Sequence, residues 1–152
     1  MAIDQFAALG SAVNKLVCEF RSAALRKGCS GLDVDKAVSY IEEHAAAGST
    51  GLCAKFVRLA LKAGGVAIDP WPDEARKYGP YLLRSRFIAL SIAPSGVAAG
   101  DVCVIQPYKG GNPAGHIQMF TGAKWYSDFE QREFWPGAGF RTNKPAYALF
   151  RP

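Results

Sequence analysis

Three residues of this chain have side chains whose types and order suit covalent catalysis: Cys53, His116 and Asp128. Residues 49–61 predict a turn that runs into a helix, with Cys53 in its first turn and residues 49–50 supplying the N-cap oxygen. The dipole and the free N–H groups at a helix start stabilise a thiolate and can hold an oxyanion, which is what a cysteine nucleophile needs. The alternative is that Cys53 is a small buried hydrophobic residue, the common role of a free cysteine.

His116 begins a predicted strand, residues 115–121, after a glycine-rich loop. From there its imidazole can accept the thiol proton and return it to a leaving amine. A third group must orient such an imidazole and fix its tautomer. The next predicted strand, residues 125–129, follows a short turn, so we expect Asp128 to come back beside His116 and orient it. The alternatives are a packed strand histidine and a turn or surface carboxylate.

The apolar pattern predicts helices in the first part of the chain and strands in the last part. Apolar residues three and four apart mark a helix within residues 6–20, and Asp33 can cap a second helix that precedes the Cys53 helix. Residues 81–90 are ambiguous between helix and strand. Short apolar and β-branched runs predict four strands, at residues 101–105, 115–121, 125–129 and 147–150.

The chain has enough residues for one domain with a sizeable core, since it contains 152, of which 49% are hydrophobic and 20% charged. We therefore expect a single catalytic domain over residues 1–152. Its helical part covers about residues 1–90 and its antiparallel sheet about residues 97–152, which is an α+β fold.

The formal charge of +5 suits an anionic partner, without choosing among cell-wall polymer, nucleic acid and lipid surface. No run of Lys and Arg is typical of a nucleic-acid motif, so we predict no nucleic-acid partner. Every apolar run is broken well short of the ~18 residues of a membrane span. Asp4, Asn14 and Lys15 interrupt the N-terminal apolar residues, so we predict no signal peptide and a protein made in the cytoplasm.

The cysteines and histidines do not predict a metal site. The spacing of Cys18, Cys29, Cys53 and Cys103 matches no metal-binding pattern, and two histidines are too few for an obvious zinc site. We expect no metal and no cofactor. Cys18 and Cys29 could pair in an oxidising compartment, and reduced thiols are the alternative. The second histidine, His44, is interpreted as structural, near the end of the second helix.

Four motifs occur in an order that resembles a known family: Cys53 with Arg58 a few residues later, Gly100-Asp101-Val102, Gly115-His116-Ile117, and Asp128. The order is similar to that of the NlpC-type and CHAP-type papain-like cysteine peptidases, over about residues 49–129. The resemblance implies a papain-like α+β fold, in which the nucleophile at a helix start packs on a small antiparallel sheet. It also implies that Cys53 attacks, His116 moves the proton and Asp128 orients His116.

Within that superfamily, residues 50–58 and 125–129 most resemble the type VI secretion amidase effectors. The resemblance implies a peptidoglycan amidase or endopeptidase that cuts stem peptides or cross-links. It implies delivery to the periplasm of target cells and a cognate immunity protein. Trp125, Tyr108 and Trp135 are candidates to wall the cleft and bind substrate, with simple packing as the alternative for each. Trp71, between two prolines, is interpreted as a packing anchor.

Other functions stay open at this point. One is a phage-like or housekeeping cell-wall lysin, and another is a papain-like acyltransferase, which would use the same cysteine and histidine. A third is a non-catalytic basic binding module in which Cys53 and His116 serve only packing. Replacing Cys53 by alanine separates the enzymes from the binding module, because only the enzymes lose their function.

Overall fold

The computed structural model describes residues 27–152. The helix predicted within residues 6–20, and Cys18, lie outside the described residues. The helices are α1 (Val34–His44), α2 (Cys53–Ala63), α3 (Tyr78–Arg84) and α4 (Ala138–Asn143), with short 3₁₀ turns at Ala75–Lys77 and Pro94–Gly96. The strands are β1 (Ile88–Leu90), β2 (Val102–Ile105), β3 (His116–Phe120), β4 (Trp125–Tyr126) and β5 (Tyr147–Arg151).

The five strands form one antiparallel sheet in the order β1-β5-β2-β3-β4. In the central pair Ile105 lies opposite His116, and Val102 lies opposite Met119. The predicted α+β class is confirmed: helices pack on a small antiparallel sheet. The predicted boundaries are less accurate, because β1 lies within the part expected to be helical and α4 within the part expected to be sheet.

Alternation along the strands gives the sheet two different apolar faces. One face packs against α1 and α2 and includes Val104, Ile117 and Met119. The other face carries a smaller cluster around Cys103, Ile105, Trp125 and Leu149. Burial of each aliphatic side chain stabilises the folded state by about 1.5–3 kcal/mol, so the packing on both faces holds the sheet in place.

Helix α2 is fixed on the first of these faces by Val57, Ala60 and Leu61, which recur three and four residues apart and are fully buried. The helix contacts β3 directly. Because both elements begin at the same side of the sheet, the N-terminus of α2 lies beside the first residues of β3. That contact brings Cys53 to the start of the histidine strand.

Asp101 of the Gly-Asp-Val motif joins the start of β2 to the end of β5. Its fully buried carboxylate accepts two hydrogen bonds from Arg151, from Nε at 2.9 Å and from Nη2 at 2.7 Å, and one from the Ala98 N–H at 2.8 Å. The hydrogen bonds that Arg151 donates to Asp101 raise the pKa of Arg151. The Gly-Asp-Val motif is therefore explained by a structural ion pair rather than by a catalytic role of Asp101.

Among residues 27–152, Cys29 is disulfide-bonded, and Cys53 and Cys103 are free thiols. The same residues contain no cluster of His, Cys, Asp and Glu side chains suited to a metal ion. Within that part of the chain, no helix has the length and apolar character needed to cross a membrane.

Removing the charge of Asp101 should destabilise the fold. Asp101→Asn leaves the Arg151 guanidinium without its bidentate partner, so we expect the free energy of unfolding to fall by about 3 kcal/mol in a urea titration. The matched control is Asp73→Asn, which removes an exposed partner of Lys77 and should leave the unfolding midpoint unchanged. Equal midpoints for the two variants would contradict the structural role of Asp101.

Candidate active site

The candidate nucleophile lies at the N-terminus of α2, which begins at Cys53 as the sequence predicts. The Cys53 side chain is partly buried and its sulfur is within hydrogen-bonding reach of the Ile117 backbone N–H in β3. The N–H groups of Ala54 and of Cys53 itself also face the sulfur. Cys53 is thus held between a helix start and the residue that follows His116.

The pKa of Cys53 is raised, not lowered as the helix start alone predicts. Burial is the largest cause, and the negative charge of Asp128 adds to it. The Ile117 and Ala54 N–H groups act in the opposite direction but do not outweigh burial. The expectation of a thiolate stabilised by the helix is therefore not met in the free protein, because burial raises the pKa of Cys53 and favours the neutral thiol.

His116 is the candidate base, and its environment favours the neutral imidazole. The residue is only 7% exposed, and burial lowers the pKa of His116. Hydrogen bonding to Gln131 and the charge of Asp128 raise it, though by less than burial lowers it. Gly115 precedes His116 with a φ of +69°, and a Cβ there would lie 2.4 Å from the Ile105 carbonyl oxygen, so only glycine fits.

A relay of two buried glutamine side chains fixes the tautomer of His116. Gln118 donates from Nε2 to the Phe134 carbonyl oxygen (2.9 Å), and Gln131 donates from Nε2 to Gln118 Oε1 (2.8 Å). The Gln131 Oε1 atom is then an acceptor, 2.9 Å from His116 Nε2. Since Nε2 must donate this bond, Nδ1 of the neutral ring keeps its lone pair and can take a proton.

Gln131 was not predicted from the sequence, and Gln118 was not singled out. A signal for Gln118 exists: it lies two residues after His116 on β3, on the same face, and is a polar residue in an otherwise apolar strand. Gln131 has no comparable signal. It follows β4 in an irregular segment, where no periodicity shows which way a side chain points.

Asp128 is brought to the site but does not form the hydrogen bond that was expected of it. Its Oδ2 atom accepts from the Thr50 N–H, from Thr50 Oγ1 at 2.8 Å and from the Leu52 N–H at 3.4 Å. The His116 ring instead donates its described hydrogen bond from Nε2 to Gln131 Oε1. The physical reason is that β4 ends at Tyr126, so Asp128 lies in the following turn and faces the loop before Cys53.

The carboxylate of Asp128 takes the place of a local helix cap. Leu52 is the N-cap residue of α2 and forms no side-chain cap, so the expected cap from residues 49–50 is wrong. Burial works to raise the pKa of Asp128, but the hydrogen bonds that the carboxylate accepts, those from Thr50 and from the Asp128 N–H and the Ser127 hydroxyl, together lower the pKa below its ordinary value. Asp128 is therefore ionised, and its charge acts on both Cys53 and His116.

A cleft of about 240 Å³ begins at Cys53. Its walls include Arg58 of α2, Trp71, Tyr78 and Gly115. Trp71 is 54% exposed, and the guanidinium carbon of Arg58 lies 3.9 Å from the centre of its ring. Trp71 was interpreted as a packing anchor, but the structure places it on the wall of the candidate active site.

The three aromatic residues expected at the cleft lie elsewhere. Trp125 is only 6% exposed and belongs to the apolar cluster on the face of the sheet away from α2, since alternation in β4 points it there. Trp135 packs against Phe134, with ring centres 4.8 Å apart. Tyr108 packs on Phe140 at 4.9 Å and lines a separate cavity of about 420 Å³.

The fold and site together define the class: a cysteine at a helix start, packed on an antiparallel sheet beside a strand-start histidine, is the papain-like arrangement.

Neither a protein-family model nor a curated protein matches the chain. Two solved structures do, both of the type VI effector–immunity complex Tae3–Tai3 from Ralstonia pickettii. The native complex is 38% identical, covering 78% of this chain and 97% of that chain, with a TM-score of 0.71. The selenomethionine complex is also 38% identical, covering 75% and 97%, with a TM-score of 0.69.

Identity at this level over almost the whole length of the matched chain shows the family. This chain belongs to the Tae3 family of type VI secretion effectors.

Removing the Asp128 carboxylate should loosen the loop that precedes Cys53. In Asp128→Ala the Thr50 and Leu52 donors lose their acceptor, so we expect the free energy of unfolding to fall by about 2–3 kcal/mol. Amide hydrogen exchange at Thr50 and Leu52 should become faster than at the centre of α2.

The matched control is Glu130→Ala, which removes an exposed carboxylate two residues away that pairs with Lys124. It should leave exchange at Thr50 and Leu52 unchanged. Equal exchange rates in Asp128→Ala and the unsubstituted protein would show that the carboxylate does not hold the loop.

Proposed function

We propose that this chain, as a type VI effector, hydrolyses amide bonds in peptidoglycan stem peptides or cross-links, with Cys53 as the nucleophile. The observation that carries the proposal is the environment of Cys53. Its thiol lies between a helix start and the N–H of Ile117. Ile117 directly follows His116, whose buried imidazole has a fixed tautomer. The family membership supports the amidase activity and the peptidoglycan substrate.

In the first step the Cys53 sulfur attacks the carbonyl carbon of the scissile amide while His116 Nδ1 takes the thiol proton. A C–S bond forms and the carbonyl electrons move to oxygen, which becomes an oxyanion. The N–H groups at the start of α2 face the sulfur, and we expect them to hold the oxyanion. The intermediate then breaks its C–N bond, and His116 gives the proton to the leaving amine.

In the second step water hydrolyses the thioester. His116 takes a proton from the water as its oxygen attacks the carbonyl carbon, and the C–S bond breaks. The released acid leaves, and the proton returns to sulfur, so that thiol and imidazole are restored. Gln131 and Gln118 hold the His116 ring throughout, and the Asp128 charge stabilises the imidazolium that forms in each step.

The proposed substrate and the family membership support a compartment and a partner for this chain. Peptidoglycan lies in the periplasm of Gram-negative target cells, so an effector that cleaves it must be delivered there. The solved relatives are complexes of Tae3 with the immunity protein Tai3. By the same family membership, this chain is expected to have a cognate immunity protein.

Digestion of purified Gram-negative peptidoglycan tests the activity. We expect the unsubstituted protein to release new amine and carboxylate ends, resolved by chromatography and mass spectrometry, and Cys53→Ala to reduce the rate by about a thousandfold or more. Cys103→Ala is the matched control, since it removes a free cysteine that is fully buried on the other face of the sheet. Full activity of Cys53→Ala would overturn the proposal.

The pH dependence should report the buried imidazole. Because burial lowers the pKa of His116, the base stays unprotonated to lower pH than usual, and kcat/KM should fall only with a midpoint below about 6.5. Gln131→Ala removes a hydrogen bond that raises the pKa of His116. It should therefore move the midpoint to still lower pH while reducing kcat.

The ionisation of Cys53 can be followed separately by its rate of alkylation with iodoacetamide. We expect this rate to rise only above the pH at which an ordinary cysteine ionises, since the pKa of Cys53 is raised. Rapid alkylation of Cys53 below about pH 5, as in a thiolate–imidazolium pair, would contradict the neutral-pair mechanism.

A further inference from the structure

Arg58 is a cation in the cleft for which the described part of the chain provides no counter-ion. None of the ion pairs among residues 27–152 involves it. Its Nε atom is buried and has no hydrogen-bond partner. An unpaired Nε donor and an unpaired charge that are partly buried lower the stability of a folded protein. A ligand that accepts the hydrogen bond and carries the opposite charge would remove this cost.

Trp71 fixes the orientation of this guanidinium. The ring lies 3.9 Å from the guanidinium carbon, so one face of the planar group is covered by the aromatic face. Stacking leaves the edge of the guanidinium uncovered. The Tyr78 hydroxyl is within hydrogen-bonding reach of this edge, while Nε has no partner and is left for an acceptor. A carboxylate is the acceptor whose two oxygens match that edge.

The other charges of the cleft favour an anion. Lys55 also lines it, one helical turn from Arg58. The one carboxylate among its described walls is that of Asp73, which is already paired with Lys77 at 2.9 Å. The Arg58 charge also reaches the Tyr78 hydroxyl: burial raises the pKa of Tyr78 and Arg58 opposes that rise.

We propose that Arg58, stacked on Trp71, forms a subsite that binds a free carboxylate of the substrate close to the amide that Cys53 attacks. This inference rests on the proposed function, because the peptides of peptidoglycan carry such carboxylates both on internal residues and at the C-terminus. The subsite distinguishes a free acid from its amide. It makes Arg58 a specificity-determining residue rather than a catalytic one.

The test uses synthetic stem peptides that contain the scissile amide, with each carboxylate converted in turn to a carboxamide. For one of these positions, the unsubstituted protein should lose about 10- to 100-fold in kcat/KM on amidation, the range expected for a charge-assisted hydrogen bond. The carboxylate whose amidation lowers kcat/KM is the one that the subsite recognises, and its place in the peptide shows whether it is internal or C-terminal.

Arg58→Met removes the charge and keeps the length of the side chain. We expect it to lose the same factor of about 10- to 100-fold on the free acid, mainly through KM, and to treat acid and amide alike. The ratio of kcat/KM on the free acid to kcat/KM on the amide is measured on one protein preparation, so that partial unfolding of the variant affects both values equally. The matched control is Lys62→Met, which removes an exposed cation from the last turn of the same helix. This variant should keep the preference for the free acid over the amide.

Binding measured in the Cys53→Ala background separates this inference from the proposed function. The free-acid peptide should bind Cys53→Ala more tightly than its amide does, and adding Arg58→Met should abolish the difference. A preference that survives Arg58→Met, or an absence of any acid–amide preference in the unsubstituted protein, overturns the subsite. Full activity of Cys53→Ala would instead overturn the proposed function, whatever Arg58 binds.

Discussion

The site depends on one buried carboxylate, that of Asp128. Hydrogen bonds from Thr50 and Leu52 connect the turn after β4 to the loop before α2, two segments that are 76 to 78 residues apart in sequence. The same bonds keep Asp128 ionised although it is buried. Its charge in turn raises the pKa of Cys53 and opposes the effect of burial on the pKa of His116. One interaction therefore holds the loop before Cys53 and helps to raise the pKa of the Cys53 thiol.

Strand β3 places His116 directly before the residue whose backbone N–H faces the Cys53 sulfur. Its alternate residues, Ile117 and Met119, pack under α2 and fix the helix on the sheet. His116 and Gln118 point to the opposite face, where the glutamine relay sets the tautomer of the imidazole. The backbone N–H of Ile117, between the two sets, faces the Cys53 sulfur. The five residues of β3 thus combine core packing with the hydrogen bonds of the candidate site.

The sequence predicts those parts of the site that depend on local structure. A helix start at Cys53 and a strand start at His116 follow from apolar periodicity and from glycine, which are local signals. Gln131 and Trp71 come from irregular segments whose direction depends on tertiary contacts, so no period identifies them. Trp125 was assigned to the cleft because aromatic residues suit binding surfaces, but alternation in a two-residue strand buries it on the other face.

The most direct test of a covalent mechanism at Cys53 is labelling by a stem peptide whose scissile carbonyl is replaced by a vinyl sulfone. The account predicts that activity is lost in step with the addition of one peptide mass, and that digestion places this mass on the fragment containing Cys53. Modification should be slower in Gln131→Ala, because the imidazole that takes the thiol proton is less well oriented. Complete loss of activity with the label on another residue would contradict the account.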